Sequence, residues 1–334
     1  MRNRFFVAAL GIALATSSPT LAQQNYNLSL AGASPSGLWS SVGAGFSQTI
    51  TAAYPGSVIT YQTSSGGLVN AKSVAEGKVP MGLAADMELK AAVTGGGPFN
   101  GTAVKGLMQL VRVYDSSTRF QMFHTIINRD FADKHGIKTF DDIIKKKIPV
   151  RVAVNRPGNM DRDIGLDILE GVGLTPKLIK DNGGDLIGAA TVEITNLVQD
   201  RRVDLYIAGF SFNHSSIRDM SNSVNLMLLP YPKAVAEKVA QKNGGELCDL
   251  KPGEYSWDPG GLTTVCVGAV IMVSDKMDEQ TAYALTKGMI GKADVYRASH
   301  RAFANVTPER MAQGSAAPLH PGAAKAFKEA GLLK

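Results

Sequence analysis

Three runs of small and polar residues have types and spacing suited to chemistry: Ser34-Pro35-Ser36-Gly37, Thr63-Ser64-Ser65-Gly66-Gly67 and Asn155-Arg156-Pro157-Gly158-Asn159. Each follows a short apolar run and precedes a helical pattern, so each delivers free backbone N–H groups and hydroxyls at a helix start on the carboxyl edge of a sheet. That combination seats an anion. A helix N-terminus is worth about 0.3 to 1 kcal/mol to a nearby negative charge, and up to ~2 when partly buried. Charge-assisted hydrogen bonds add roughly 1.5 to 3 kcal/mol each, so three or four contacts reach much of the ~8 kcal/mol behind a micromolar dissociation constant. One such joint would be ordinary turn chemistry, because every doubly wound α/β protein has small residues at its βα turns. The repetition, and the unbroken small-residue run from Thr63 to Gly67, exceed what a tight turn needs.

Other chemistries find less footing. The glycine-rich runs lack the Gly-Lys-Ser/Thr of a Walker phosphate loop, and no Gly-x-Ser-x-Gly elbow occurs. The histidines at 124, 135, 214, 300 and 320 show no i, i+4 metal pairing. Asp161, Asp163 and Asp167 sit at the start of the helix after Asn159, where dipole compensation and capping account for them more cheaply than carboxylate catalysis. Arg156 and Arg119 are the best cationic candidates for a ligand carboxylate, although each also reads as an exposed side chain. The expectation is a binding protein rather than an enzyme, with no cofactor and no metal.

Composition agrees. The chain has 334 residues, with 44% apolar and 19% charged, which is ordinary globular usage and allows about two domains. Arg2 and Arg4 precede an apolar run from Phe5 to Ala15 and small residues up to Ala22, the pattern of a secretion signal cleaved after Ala22. The expected location is the periplasm. Removing those arginines leaves 33 basic and 29 acidic residues, a formal charge of +4. The one dense basic run, Lys145-Lys146-Lys147, closes a short helix and offsets its dipole, so nucleic acid is not an expected partner. Cys248 and Cys266 would meet an oxidising compartment, where they either pair or stay as two buried small hydrophobes.

The elements that must position the loops follow an α/β rhythm. The strand Leu28–Ala31 leads into the Ser34 loop and a helix with Leu38, Val42, Phe46 and Ile50 on one face. Val58–Gln62 leads into the Thr63 loop and a helix with Leu68, Ala71 and Ala75 on one side. Met81–Ala85 is followed by Asp86, read as a helix cap. Val150–Val154 leads into the Asn155 loop and a helix over 160–170. Two strand-like runs, Met108–Tyr114 and Gln121–Asn128, and a return strand over 264–274 carry the chain between domains, and two extended crossings make a hinge. The expected division is 1–22 as signal, 23–122 with 275–334 as one lobe, and 123–274 as the other, including the crossing strands.

Taken with the tail Pro318-Leu319-His320-Pro321-Gly322-Ala323-Ala324-Lys325-Ala326-Phe327, these segments resemble the TAXI-type solute receptors of TRAP transporters. The resemblance runs over essentially the whole mature chain. Its most specific stretches are Gly32–Trp39, Thr63–Asn70, Gly77–Leu83 and Val154–Asn159. It implies a type II-like, two-lobed α/β periplasmic binding protein whose hinged cleft closes on a small organic anion of the amino-acid or dicarboxylate class. That solute would be handed to an ion-driven TRAP permease by a monomeric receptor. Carried over by position, the solute meets Ser34, Ser36, Gly37, Leu38 and Trp39, then Thr63, Ser64, Ser65, Gly66 and Gly67, then Asp86. From the other lobe it meets Asn155, Arg156, Pro157, Gly158, Asn159 and Phe210. A ligand-sensing partner of a membrane signalling protein is the alternative role, and a periplasmic enzyme a more distant one.

Overall fold

The computed structural model describes residues 24–35 and 37–334. The proposed signal, residues 1–22, and Ser36 lie outside them. The strands are β1 (Asn27–Ala31), β2 (Val58–Gln62), β3 (Met81–Ala85), β4 (Leu107–Tyr114), β5 (Gln121–Asn128), β6 (Arg151–Asn155), β7 (Asp185–Ala189), β8 (Leu205–Phe210), β9 (Leu226–Leu228), β10 (Glu246–Leu250), β11 (Leu262–Val267) and β12 (Ala269–Ser274). The first seven helices are α1 (Leu38–Ala53), α2 (Gly67–Ala75), α3 (Asp86–Thr94), α4 (Arg129–His135), α5 (Phe140–Lys145), α6 (Met160–Gly171) and α7 (Pro176–Asp181). The second seven are α8 (Thr191–Gln199), α9 (Ser215–Ser223), α10 (Lys233–Asn243), α11 (Glu279–Gly291), α12 (Ala293–Ser299), α13 (Pro308–Met311) and α14 (Pro321–Glu329).

Two sheets result, and the fold is two-lobed. The first runs β2-β1-β3-β12-β4, and the second β10-β11-β5-β8-β6-β7 with β9 added against β5. β1 lies parallel to β2 and β3, and β6 parallel to β7 and β8. These parallel strands are the ones that feed helices, so the small-residue joints line up along the carboxyl edges of the two sheets, where ligands of open α/β sheets bind. The alternation of Leu38, Val42, Phe46 and Ile50 puts all four side chains in the core. The helices after Asp278 return to the first sheet: Tyr296 of α12 is buried and donates its hydroxyl to Val113 O at 3.0 Å, and Gln109 N donates to Pro318 O at 2.8 Å just before α14.

Four sequence expectations change. The return run over 264–274 is not one strand. β11 ends at Val267 in the second sheet and β12 begins at Ala269 in the first, with Gly268 between them. The lobe boundary therefore falls near Gly268 instead of after Ser274, because Ala269–Val273 pairs with β3. The outgoing crossing lies at Ser116–Phe120, since Gln121 and Met122 already pair with β11. Asp86 does not cap its helix. It is the first residue of α3, and its carboxylate receives both terminal nitrogens of Arg112, at 2.6 and 2.8 Å.

The undecided cysteines are joined: Cys248 and Cys266 form a disulfide between neighbouring strands β10 and β11. Lys145 pairs with Asp141 one turn back, as the helix-end reading expects.

Candidate functional site

The joint between β1 and α1 faces the joint between β6 and α6 across the gap between the sheets, and a small cavity lies between them. Its walls are Ala33, Ser34, Gly37, Leu38 and Trp39 from the first lobe, Gln121 from the crossing strand, and Asn155, Asn159, Met160, Asp161 and Thr191 from the second. Ser34 is buried and its Oγ has no hydrogen-bond partner among the described residues. A buried hydroxyl without a partner costs free energy, so a vacant acceptor or donor position beside it favours a polar guest. Among the described residues no lysine or arginine lines the cavity. The volume is about 20 Å3, room for roughly one or two waters. A metabolite of several heavy atoms does not fit that space.

Asp161 is the cavity's charged group. Its residue is buried, and its Oδ1 accepts from Gln121 Nε2 at 2.9 Å. Burial pushes the carboxyl up to about 6, opposed by hydrogen bonds from the Gln121 side chain, the Gly209 amide and the Asn155 side chain. Reading Asp161 as a helix cap is therefore a mistake: Asn159 Oδ1 caps α6 by accepting from Asp161 N at 2.9 Å, and the Asp161 side chain is turned into the site.

The second joint behaves differently. Ser64 Oγ donates within its own lobe, and Gly66 N donates to Ser64 Oγ at 3.0 Å. Gly67 N at the start of α2 donates to Glu88 Oε1 at 3.1 Å, and Met160 N at the start of α6 donates to the same oxygen at 3.1 Å. Glu88 Oε2 accepts from Ala85 N at 2.9 Å. One buried carboxyl thus joins helix starts from both lobes. Burial pushes it up to about 8 against the pull of the Ala85 and Met160 amides, with the Asp161 and Asp163 charges adding to the rise. A second bridge runs from Arg156 Nη2 to Ser64 O.

The sequence profile of the NMT1-like family matches residues 30–331. The chain belongs to that family. The match carries the NMT1-like family and not the TAXI subfamily. Among solved structures, the NMT1-like chain is similar in fold to the periplasmic binding protein BugD, at 13% identity and TM-score 0.52, over 93% of this chain and 98% of that one. It is similar to the binding protein component of an ABC phosphonate transporter from Pseudomonas aeruginosa, at 10% identity and TM-score 0.51, over 83% and 79% of the two chains. It is also similar to MatC from Rhodopseudomonas palustris, solved with bound malate, at 10% identity and TM-score 0.51, over 84% and 88%. At these identities the likeness establishes the periplasmic-binding-protein fold alone.

In this NMT1-like chain, Ser34, Gly37, Leu38, Trp39, Asn155 and Asn159 line the cavity. Thr63, Ser64, Ser65, Gly66, Gly67 and Arg156 do not; Thr63 is exposed, and the others build or brace the contact between lobes. Pro157 and Gly158 open onto a separate groove of about 810 Å3 beside α2, α3 and α6. Asp86 is held by Arg112. Phe210 is buried at the end of β8 among His124, Tyr206 and His214, with ring centroids 5.3 to 5.8 Å away, and packs the second lobe instead of facing the cavity. Gln121, Asp161, Thr191 and Glu88 escape the sequence reading. Thr191 had a signal, since Asp185–Ala189 followed by Thr191 is one more strand-to-helix joint. Glu88 had none beyond an acidic residue at the third position of a helix.

Proposed function

We propose that this chain is an extracytoplasmic solute receptor, which captures a small organic anion between its lobes and delivers it to a membrane permease. The observation that carries the reading is the cavity where the β1–α1 and β6–α6 joints meet, with the Ser34 hydroxyl, unpartnered among the described residues, in its wall. The helix start at Gly37 supplies the positive end of a dipole to the solute's acidic group. The two chain crossings, at Ser116–Phe120 and Gly268, act as the hinge that opens the cleft. Nothing in this scheme requires catalysis.

The periplasm is the proposed location, from the signal pattern of residues 1–22 and from the fold. For the permease, the motif resemblance to TAXI-type receptors supports an ion-driven TRAP partner. The fold shared with the binding component of an ABC phosphonate transporter supports an ATP-driven one. Uptake of the solute in cells lacking an ion gradient but holding ATP separates the two. A thermal-shift screen of small carboxylates, phosphonates and sulfonates tests the reading itself. A true solute at 100 times its dissociation constant adds about 2.7 kcal/mol to stability. A broad panel that leaves the melting temperature unmoved, with no small molecule co-purifying by native mass spectrometry, refutes the receptor reading.

A further inference from the structure

Glu88 occupies ground that the residue pattern allots to the solute. Its carboxyl holds the first N–H of α2, the first N–H of α6 and the N–H just ahead of α3, at 3.1, 3.1 and 2.9 Å. The residue is 1% exposed. Gly67 makes the room: a Cβ there would lie 2.0 Å from Glu88 Oε2. Met160, whose amide Glu88 takes, also lines the solute cavity, so the filled seat and the open cavity are neighbours. Of the three helix starts that face the gap between lobes through Gly-rich joints, only that of α1 is left without such a carboxyl among the described residues.

Resting on the receptor reading, we propose that the Glu88 carboxyl is a built-in occupant of the seat shared by α2, α3 and α6, and that Glu88 is a specificity-determining residue restricting the solute to one acidic group. A second acidic group on the solute would find those three amides taken. It would also meet the Asp161 carboxyl in the cavity wall, with no lysine or arginine among the described residues there to offset it. The wall around Asp161 suits a hydrogen-bond donor on the solute, an ammonium or a hydroxyl, and the α1 start suits its single carboxylate. This is negative selection by an internal group, not by size.

The test uses calorimetric titration of the full mature chain with matched sets: monocarboxylates bearing an amino or hydroxyl group, and dicarboxylates of the same carbon number. The expected result is a monoacid bound at least about tenfold tighter than its matched dicarboxylate. In Glu88→Ala that ratio should shrink at least about fivefold, because the vacated amides now accept the second carboxylate. Glu88→Gln, which retains an acceptor for Gly67 and Met160, should keep the discrimination. A dicarboxylate that binds native protein as tightly as the monoacid overturns the proposal while leaving the receptor reading intact. If neither set binds, the receptor reading fails, and the seat is still decided without a solute: formate at roughly 0.1 M should raise the melting temperature of Glu88→Ala more than that of native protein by filling the seat. Equal shifts overturn it. Should Glu88→Ala not fold, Glu88→Ser, whose hydroxyl is too short to reach the Gly67 and Met160 amides and leaves the seat open, takes its place in both arms.

Discussion

Gln121 Nε2 donates to Asp161 Oδ1 at 2.9 Å, linking the first residue of the crossing strand to the charged wall of the cavity. The link continues. Tyr114 OH donates to Gln121 Oε1 at 2.5 Å and accepts from Trp39 Nε1 at 2.7 Å. A buried chain of polar groups therefore runs from α1 in one lobe, across both ends of the outgoing crossing, to α6 in the other. Buried networks of this kind are costly to interrupt, because each orphaned group keeps its desolvation penalty. Tyr114→Phe removes the central hydroxyl and strands the Trp39 and Gln121 groups. We expect a loss of about 1 to 3 kcal/mol in urea unfolding, together with weaker solute binding, since the tilt of Gln121 and Asp161 is no longer fixed. Tyr114→Phe with native stability would show that the chain carries no energy.

Gly66 stands against the opposite lobe with no room for a side chain. Its φ is +132°, and a Cβ there would lie 2.8 Å from Gly158 O and 2.9 Å from the Asn159 Cα of the opposite lobe. Gly66→Val should hold the lobes apart while leaving each lobe's core untouched. The expected outcome is a larger radius of gyration by small-angle scattering and solute affinity down at least about tenfold, roughly 1.4 kcal/mol. Gly37→Ala should do much less, since its added methyl would stand 3.3 Å from Ser34 Cβ with φ in the ordinary range. Equal effects at both positions would contradict the closure geometry.

The buried carboxyl of Glu88 makes stability depend on pH with a defined sign. Burial raises it from 4.5 to about 8, with Asp161 and Asp163 of α6 facing it and adding to the rise. The folded chain therefore keeps a proton that the unfolded chain has released. The corresponding stability is full below about 4.5 and is lost as pH climbs through about 8. Asp161 acts the same way but nearer to 6. Burial lowers His124 and His214 to about 4, and lowers His300 and His320 too, so the histidines add stability as pH rises towards 6.5 and little beyond it. Between pH 6.5 and 8 Glu88 dominates. Unfolding free energy should fall there by up to about 1.4 kcal/mol per pH unit, and Glu88→Gln should flatten the slope. A native profile that is level across this window would show that Glu88 is ionised in the folded chain.

The disulfide between Cys248 and Cys266 closes a loop with a sequence separation of 18. On the chain-entropy account a loop of that size is worth about 3 kcal/mol. Reduction, or the double change to serine, should lower the melting temperature while solute affinity stays within about twofold, because no described residue of β10 or β11 lines the cavity, although β11 pairs with the strand that carries Gln121. A marked loss of affinity on reduction would tie that edge of the second sheet to the site.

Much of this molecule is decided by neighbours in sequence. Leu38, Val42, Phe46 and Ile50 recur at helical spacing and bury one face. Val152–Val154 reads as a buried strand, and Asn159 caps α6 two residues on. Such patterns need only local geometry, and they located both joints that wall the cavity. What separations of 21 and 72 residues bring together is not legible in that way: Glu88 reaches Gly67 and Met160 only once α2, α3 and α6 are stacked at the lobe boundary. The same holds for Asp161, which looks like a helix cap until Gln121 arrives from 40 residues away to hold it, and for Phe210, whose position after a strand says nothing about which side of the sheet it faces. The sequence by itself determined which backbone amides would be left free at helix starts, because capping and turn chemistry act within a few residues. Only the tertiary structure decided which of those amides a solute can use, because a distant carboxyl competes for them and the outcome depends on how the two lobes meet.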